Sequence, residues 1–207
     1  MEQSTSEYRT LGAQAEATVR EKMSRFLAFA RPVSSAAEAK EWIANVSNKY
    51  HDARHVCWAY MLGTSADEFQ WSDNGEPSGT AGKPILGQIR SHELTNVAIA
   101  VVRYFGGIKL GTSGLIAAYR EAAREAIEAG EIITAYEMAE VTFTFPYLSM
   151  NAVMRTVRDS EARIERQEFD NTCRMTLSIR ADRASLLASR IAEIDGTSID
   201  TQNTKKI

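Results

Sequence analysis

Cysteine is nearly absent from this chain, basic residues are not in excess, and no apolar run approaches the length of a membrane crossing. Lysine and arginine number 24 against 27 aspartates and glutamates, a formal charge of −3. A protein that wraps duplex nucleic acid by its overall field carries a basic excess, so any nucleic-acid contact must come from a local patch. The halves hide no asymmetry: 14 basic and 17 acidic side chains lie up to Ala139, and ten of each follow. Cys57 and Cys173 sit in separate apolar runs, outside any C-x-x-C pair, which removes the sequence-level case for a disulfide framework or a zinc knuckle. Of only three histidines, His51 and His55 have H-x-x-x-H spacing. That pattern crosses from a helix end into a strand, so the imidazoles need not share a face, and a hydrogen-bonding role fits better than a metal site. No Ser-His-Asp or Cys-His arrangement can be read. Nothing nears the roughly 20 apolar residues of a spanning helix, and Met1 to Arg20 is polar and of mixed charge, without a signal-peptide core. The expectation is a cytoplasmic protein with reduced thiols, no membrane contact, no cofactor and no metal.

What is present is ordinary globular material: 44% hydrophobic and 25% charged residues in 207, enough for one large domain or two small ones. After a short polar leader, residues 13–33 read as two strands. Ser35 with Glu38 three residues on forms a capping box, opening a helix with Ala36, Ala39, Ile43 and Val46 on one face that ends near Tyr50. His55 to Leu62 and Glu68 to Trp71 read as a hairpin. Pro84 starts a short helix carrying Ile85, Leu86 and Ile89. Val97 to Phe105 is apolar without alternation, the mark of a central strand covered on both faces. A long helix to Glu128 follows, with Leu115, Tyr119, Ala122 and Ala126 in its stripe and Thr112 or Ser113 as cap, then a strand over Ile132 to Tyr136.

The tail has its own rhythm. Val141, Phe143 and Phe145 alternate as a half-buried strand, and Pro146 begins a helix with Leu148, Val153 and Val157. Strands at Arg163 to Phe169 and Cys173 to Arg180 meet at Asp170-Asn171. A helix over Arg183 to Ile194 and a strand over Thr197 to Gln202 complete β-α-β-β-α-β, the ferredoxin-like order. The domain boundary falls at 138/139, giving domains 1–138 and 139–207.

Two loops carry chemistry. Ser72 to Gly82 has no apolar periodicity and brings together the carboxylates of Asp73 and Glu76, the hydroxyls of Ser78 and Thr80, and the amine of Lys83. Such a set can serve acid/base work, hold a cation or a partner's basic side chain, or be a solvated turn rich in side-chain caps. The second loop runs from Arg103 and Tyr104 through Gly106, Gly107, Lys109 and Gly111 to Thr112. Here a buried strand empties into a glycine-rich turn and a helix N-terminus, whose free N–H groups favour an anion. It is neither G-x-x-x-x-G-K-[ST] nor G-x-G-x-x-G, and packing alone also produces such turns. In the tail, Arg155, Arg158, Arg163 and Arg166 can form a patch for RNA phosphate or an acidic protein surface, although the interleaved Glu161, Glu165 and Glu168 make a solvated, mutually neutralising face the usual reading. No catalytic residue is assigned.

The blocks HDARHVCWAY, SDNGEPSGTAGKPIL and VVRYFGGIKLGTSGL, with AAYREAA after the last, resemble the signature blocks of the IMPACT/YigZ family over roughly residues 8–131. The resemblance implies an α+β chain: a ribosomal protein S5 domain 2-like domain, then a ferredoxin-like domain similar to the last domain of elongation factor G. It implies action by contact. Eukaryotic members bind a ribosome-associated activator and so restrain a starvation-signalling kinase, and the elongation-factor likeness suggests RNA or ribosome binding, by fold analogy. Three departures stand out: Asn74 where the family usually has a second Asp, Ser113 in its Gly-Thr-Gly-Gly, and Ala117 where an Arg is common. They weaken a three-acid loop and a strong anion clamp, though Arg120 and Arg124 share the helix. The reading is a non-enzymatic, translation-linked factor contacting RNA, the ribosome or a translation-associated protein. The rival is an enzyme on a small phosphorylated or nucleotide ligand.

Overall fold

The computed structural model describes residues 6–170 and 172–200. It is a mixed α/β chain that divides into two compact units, residues 8–135 and residues 136–207 with the first seven. No helix among the described residues is long and apolar enough to cross a membrane.

In the first unit, β1 (Glu7–Leu11) pairs with β7 (Ile132–Tyr136) in a two-stranded ladder. The main sheet orders β2 (Ala15–Glu21), β3 (Ser24–Pro32), β6 (Val97–Tyr104), β4 (His55–Leu62) and β5 (Glu68–Ser72). β6 runs antiparallel between β3 and β4 and is buried from Val97 to Arg103. Its unbroken apolar run follows from cover on both faces. Val97, Ile99 and Val101 join the core under α2 (Gly82–Ser91) and α3 (Gly111–Glu128), while Ala98, Ala100 and Val102 pack under α1 (Ala36–Lys49). Ile99→Ala would cost about 2–5 kcal/mol here. Ser35 caps α1 as its pattern predicts, its hydroxyl accepting from the Glu38 amide at 3.2 Å. The Glu38 carboxylate turns back to the Ser34 amide at 2.8 Å. Lys22 and Met23, both at positive φ, make the two-residue turn between β2 and β3, the turn twist that tight hairpins favour.

Three boundaries differ from the sequence reading. α2 begins at Gly82, two residues ahead of Pro84. β6 gives up Phe105. β1 lies where a polar leader was read, and Leu11 at its end is 1% exposed in the core.

The second unit runs β8 (Met138–Phe145), α4 (Met150–Asp159), β9 (Arg163–Phe169), β10 (Cys173–Arg180), α5 (Ala181–Ala192) and β11 (Ser198–Ile199). Its antiparallel sheet has the order β11-β8-β10-β9. Val141, Phe143 and Phe145 of β8 and Met175 and Leu177 of β10 face Val153 and Val157 of α4 and Leu187 and Ile191 of α5. A 3-10 turn, Tyr147–Ser149, precedes α4, so Leu148 is 96% exposed and is not part of the helix's apolar face. α5 starts and ends two residues earlier than its pattern suggested. Asn171 and the Thr201-Gln202 end of the last strand lie outside the described residues.

Candidate functional site

Asp73 closes its own loop. One carboxylate oxygen accepts from the Gly79 amide at 2.7 Å, the other from Ala81 at 3.0 Å and Gly82 at 2.8 Å, where α2 begins. Two backbone donors at the start of α2 and one in the loop before it are satisfied by one side chain. The carboxylate is therefore committed to folding the loop. Thr80 is buried, its hydroxyl donating to the Pro77 carbonyl at 2.6 Å. Ser78 is exposed. Lys83 lies 5.8 Å from the Trp71 ring centre, a cation–π contact. Asn74 donates its side-chain amide to the Val56 carbonyl at 2.9 Å and offers its own carbonyl to His55 Nδ1 at 2.8 Å. A carbonyl only accepts, so Nδ1 carries a proton.

The folded loop leaves Glu76 pointing inward. Its side chain is 3% exposed and pairs with Arg103, 8% exposed, at 2.6 Å. Tyr119 of α3 donates to the same oxygen, Oε1, at 2.9 Å. Behind it, the Cys57 Sγ has the Tyr119 hydroxyl at 3.3 Å and the Asp73 carbonyl at 3.0 Å as acceptors. Burial pushes the Cys57 thiol up to about 12 and raises Tyr119 as well. Both stay protonated at neutral pH, so neither is a ready nucleophile. Glu76 Oε2 takes no hydrogen bond among the described residues. Arg103 is held between the Phe26 and Phe105 rings, each 5.6 Å from its guanidinium carbon. Its Nε is buried without a partner, and its Nη2 makes no bond among the described residues.

This pair forms one wall of a cleft of about 360 Å³. Arg54 and His55 at the head of β4 contribute, as do Pro77 and Phe105; Lys109, Leu110, Gly111, Thr112 and Leu115 come from the turn and first helical turns of α3. α3 is 18 residues long, and its N-cap is Leu110, with no side-chain capping bond. Thr112 and Ser113 lie within the helix and do not cap it. An uncapped N-terminus of that length presents free amides and about half a positive charge. Arg54 and Lys109 are exposed and make no ion pair among the described residues. With Arg103 against the single acid Glu76, the lining is net positive.

Of the twelve loop residues singled out from sequence, Glu76, Arg103, Lys109, Gly111 and Thr112 line this cleft. Asp73, Ser78, Thr80 and Lys83 do not. Tyr104 packs with the core under α1, its hydroxyl donating to Asp52 at 2.7 Å. Gly106 is a packing residue: a Cβ there would sit 2.0 Å from the Met23 backbone. Gly107 is exposed at φ +89°. Arg54, His55 and Phe105 were missed as lining residues. The signal for His55 was the alternation that sets it on the side of buried Cys57; its pairing opposite Arg103 is not written in either segment alone. The four arginines of the tail do not form one patch. Arg163 and Arg166 lie opposite Ser178 and Thr176, on the sheet face away from the core, whereas Arg155 and Arg158 are exposed on α4, which covers the core face.

Residues 22–127 match the model of the Impact N-terminal domain, a span that includes every residue of the cleft. The chain is 31% identical over 174 residues to an IMPACT family member of Haemophilus influenzae, covering 83% of this chain and 84% of that one. It is 29% identical over 180 residues to the IMPACT family member YigZ of Escherichia coli, covering 86% and 88%. A crystal structure described as that of a hypothetical protein superposes with a TM-score of 0.73 at 25% identity, over 94% of this chain and 96% of that one.

Proposed function

The chain belongs to the IMPACT family, and on that premise we propose that it is a translation-linked, cytoplasmic binding factor that contacts RNA through the cleft at the N-terminus of α3. One observation carries the reading: two exposed cations that make no ion pair among the described residues, Arg54 and Lys109, line a net-positive cleft together with the uncapped start of an 18-residue helix. That is the local patch the chain's overall charge does not supply, and phosphate oxygens are the ligand such donors suit. We read the first unit as ribosomal protein S5 domain 2-like and the second as ferredoxin-like, the latter supported by its β-α-β-β-α-β order and the placement of the last strand beside the first.

Co-sedimentation with ribosomes from a cell lysate, at two salt concentrations and after ribonuclease, tests the reading. Salt-sensitive and ribonuclease-sensitive sedimentation is expected. Lys109→Ala and Arg54→Ala should each weaken it and each lower the salt slope by about one phosphate contact. Protein that stays at the top of the gradient at low salt overturns it, and insensitivity to ribonuclease turns the partner into a translation-associated protein.

An enzymatic reading rests on a different observation, the uncommitted Glu76 Oε2 in the same cleft as phosphate-binding groups. A small phosphorylated or nucleotide substrate at 100 times its dissociation constant would add about 2.7 kcal/mol of stability. A thermal-shift panel of nucleotides and sugar phosphates that moves nothing removes this reading.

A further inference from the structure

We infer that the cleft accommodates a single unpaired nucleotide unit, with its phosphate at the α3 end, its base edge on the Glu76–Arg103 pair and its ring face on Phe105. This rests on the reading of the cleft as a phosphate site and names what occupies the rest of it. Three features set the orientation. Lys109, Gly111 and Thr112 gather donors and positive charge at the start of α3. Glu76 also lines the cleft, and its carboxylate repels a phosphate but accepts from an amino or ring N–H group. Beside it, Arg103 is 7% exposed and leaves Nε buried and unsatisfied. Nε is closed off from the cleft, whereas Nη2 makes no hydrogen bond among the described residues and is left to donate to a ligand oxygen or ring nitrogen. Together the pair presents a donor and an acceptor side by side, the pattern on the hydrogen-bonding edge of a base. Phe105, 49% exposed, has the Arg103 guanidinium carbon 5.6 Å from its ring centre and adds an apolar surface to the cleft lining. A volume of about 360 Å³ is at the small end of ligand sites, which run roughly 300–1,000 Å³. A paired duplex cannot offer its base edges to such a cleft, whereas an unstacked residue can be inserted and stacked on an aromatic ring.

The same chemistry is carried by a free nucleoside monophosphate and by an unpaired residue of RNA. The test uses the full chain, titrated with the four nucleoside monophosphates, inorganic phosphate, a five-residue single-stranded RNA and a blunt RNA duplex. Nucleotide binding is expected to exceed that of phosphate, with the duplex a poor competitor. Phe105→Ala should lower nucleotide affinity about tenfold or more, and Phe105→Tyr should restore it. Both changes lie on an exposed side chain, and circular dichroism checks that the fold is kept. Tighter binding of the pentamer than of any monomer assigns the unit to RNA; equal binding assigns it to a free nucleotide. Phosphate binding as tightly as nucleotides, with Phe105→Ala silent, overturns the inference. A duplex that competes as well as the single strand also overturns it, yet leaves the RNA-factor reading standing. Nucleotide binding without ribosome co-sedimentation does the reverse.

Discussion

Arg103 and Glu76 meet at 2.6 Å with almost no solvent around either side chain, and this decides how a substitution at either must be read. Removing one partner of a buried pair strands the other charge, at a cost of about 3–5 kcal/mol, while replacing both with apolar groups of similar size is often neutral. Arg103→Met should therefore lower the urea midpoint strongly, and Arg103→Met with Glu76→Leu should recover most of the loss; an additive pair of losses would show that the two do not act as a unit. Loss of RNA binding in Arg103→Ala alone would report unfolding as much as recognition, which is why Lys109 and Phe105 are the informative positions. Sequence reads Arg103 as positive charge beside a glycine turn, in a recognition site with Lys109 that faces Asp73 and Glu76, and not as half of a buried pair. Its place in the alternation of β6, on the side of Val101, shows the buried position; its acid partner, 27 residues away, needed the loop to be folded. Cys57 yields a second expectation. With burial raising its thiol to about 12, an aromatic disulfide reagent at pH 8 should leave it unmodified in the native protein and titrate it after unfolding, and prompt native labelling of Cys57 would contradict this packing.

At the level of elements, the local signals held where the determinants are adjacent in sequence. His55–Leu62 and Ile132–Tyr136 have the bounds their patterns predict, and Ser35 caps α1, although Glu38 reaches back to the Ser34 amide and not to that of Ser35. β1 was not legible because its stabilisation is non-local: it pairs with β7 across more than a hundred residues, and Thr10 donates to the Asn96 carbonyl at 3.1 Å. The cleft was half legible for the same reason. Its glycine turn and Glu76 stood out, but Asp73 was read with Glu76 although it serves the backbone. Asp73→Ala should cost about 1–2 kcal/mol, the upper range for a helix cap, and destabilise α2; a stability equal to wild type in urea would show that the three amides find other acceptors. The α1 cap supplies the pH dependence. Bonds from Ser34 lower the Glu38 pKa below its ordinary value, so its contribution is present above the unfolded carboxylate pKa near 4.3 and is lost as pH falls through the lower folded value. The difference in urea midpoint between wild type and Glu38→Gln should be constant from pH 7 to 6 and shrink on acidification below 5; a difference that grows instead would reverse the assigned sign.

At the scale of the whole chain, each unit encloses its own core: residues 8–135 bury one apolar cluster on each face of β6, and the sheet of β8 to β11 closes another against α4 and α5. A core of that kind is what allows a domain to fold alone. The family-model match, residues 22–127, is nonetheless a poor guide to where the first unit can be cut. It excludes β1, β2 and β7, and with them Leu11 and the Gly12 amide bond to the Glu131 carbonyl at 2.8 Å. It also strips β3 of its hydrogen-bonded neighbour and leaves a long open edge, a template for aggregation. A fragment of residues 6–137 retains all three strands. That fragment should unfold in urea in one cooperative transition and bind single-stranded RNA as the full chain does, because every lining residue of the cleft lies between Arg54 and Leu115. The fragment 22–127 should be aggregated or unfolded by circular dichroism and size-exclusion chromatography. If 22–127 folds as stably as 6–137, the two-stranded ladder and β2 are dispensable. If 6–137 folds but has lost the RNA affinity of the full chain, the cleft is not sufficient, and the tail supplies contacts of its own.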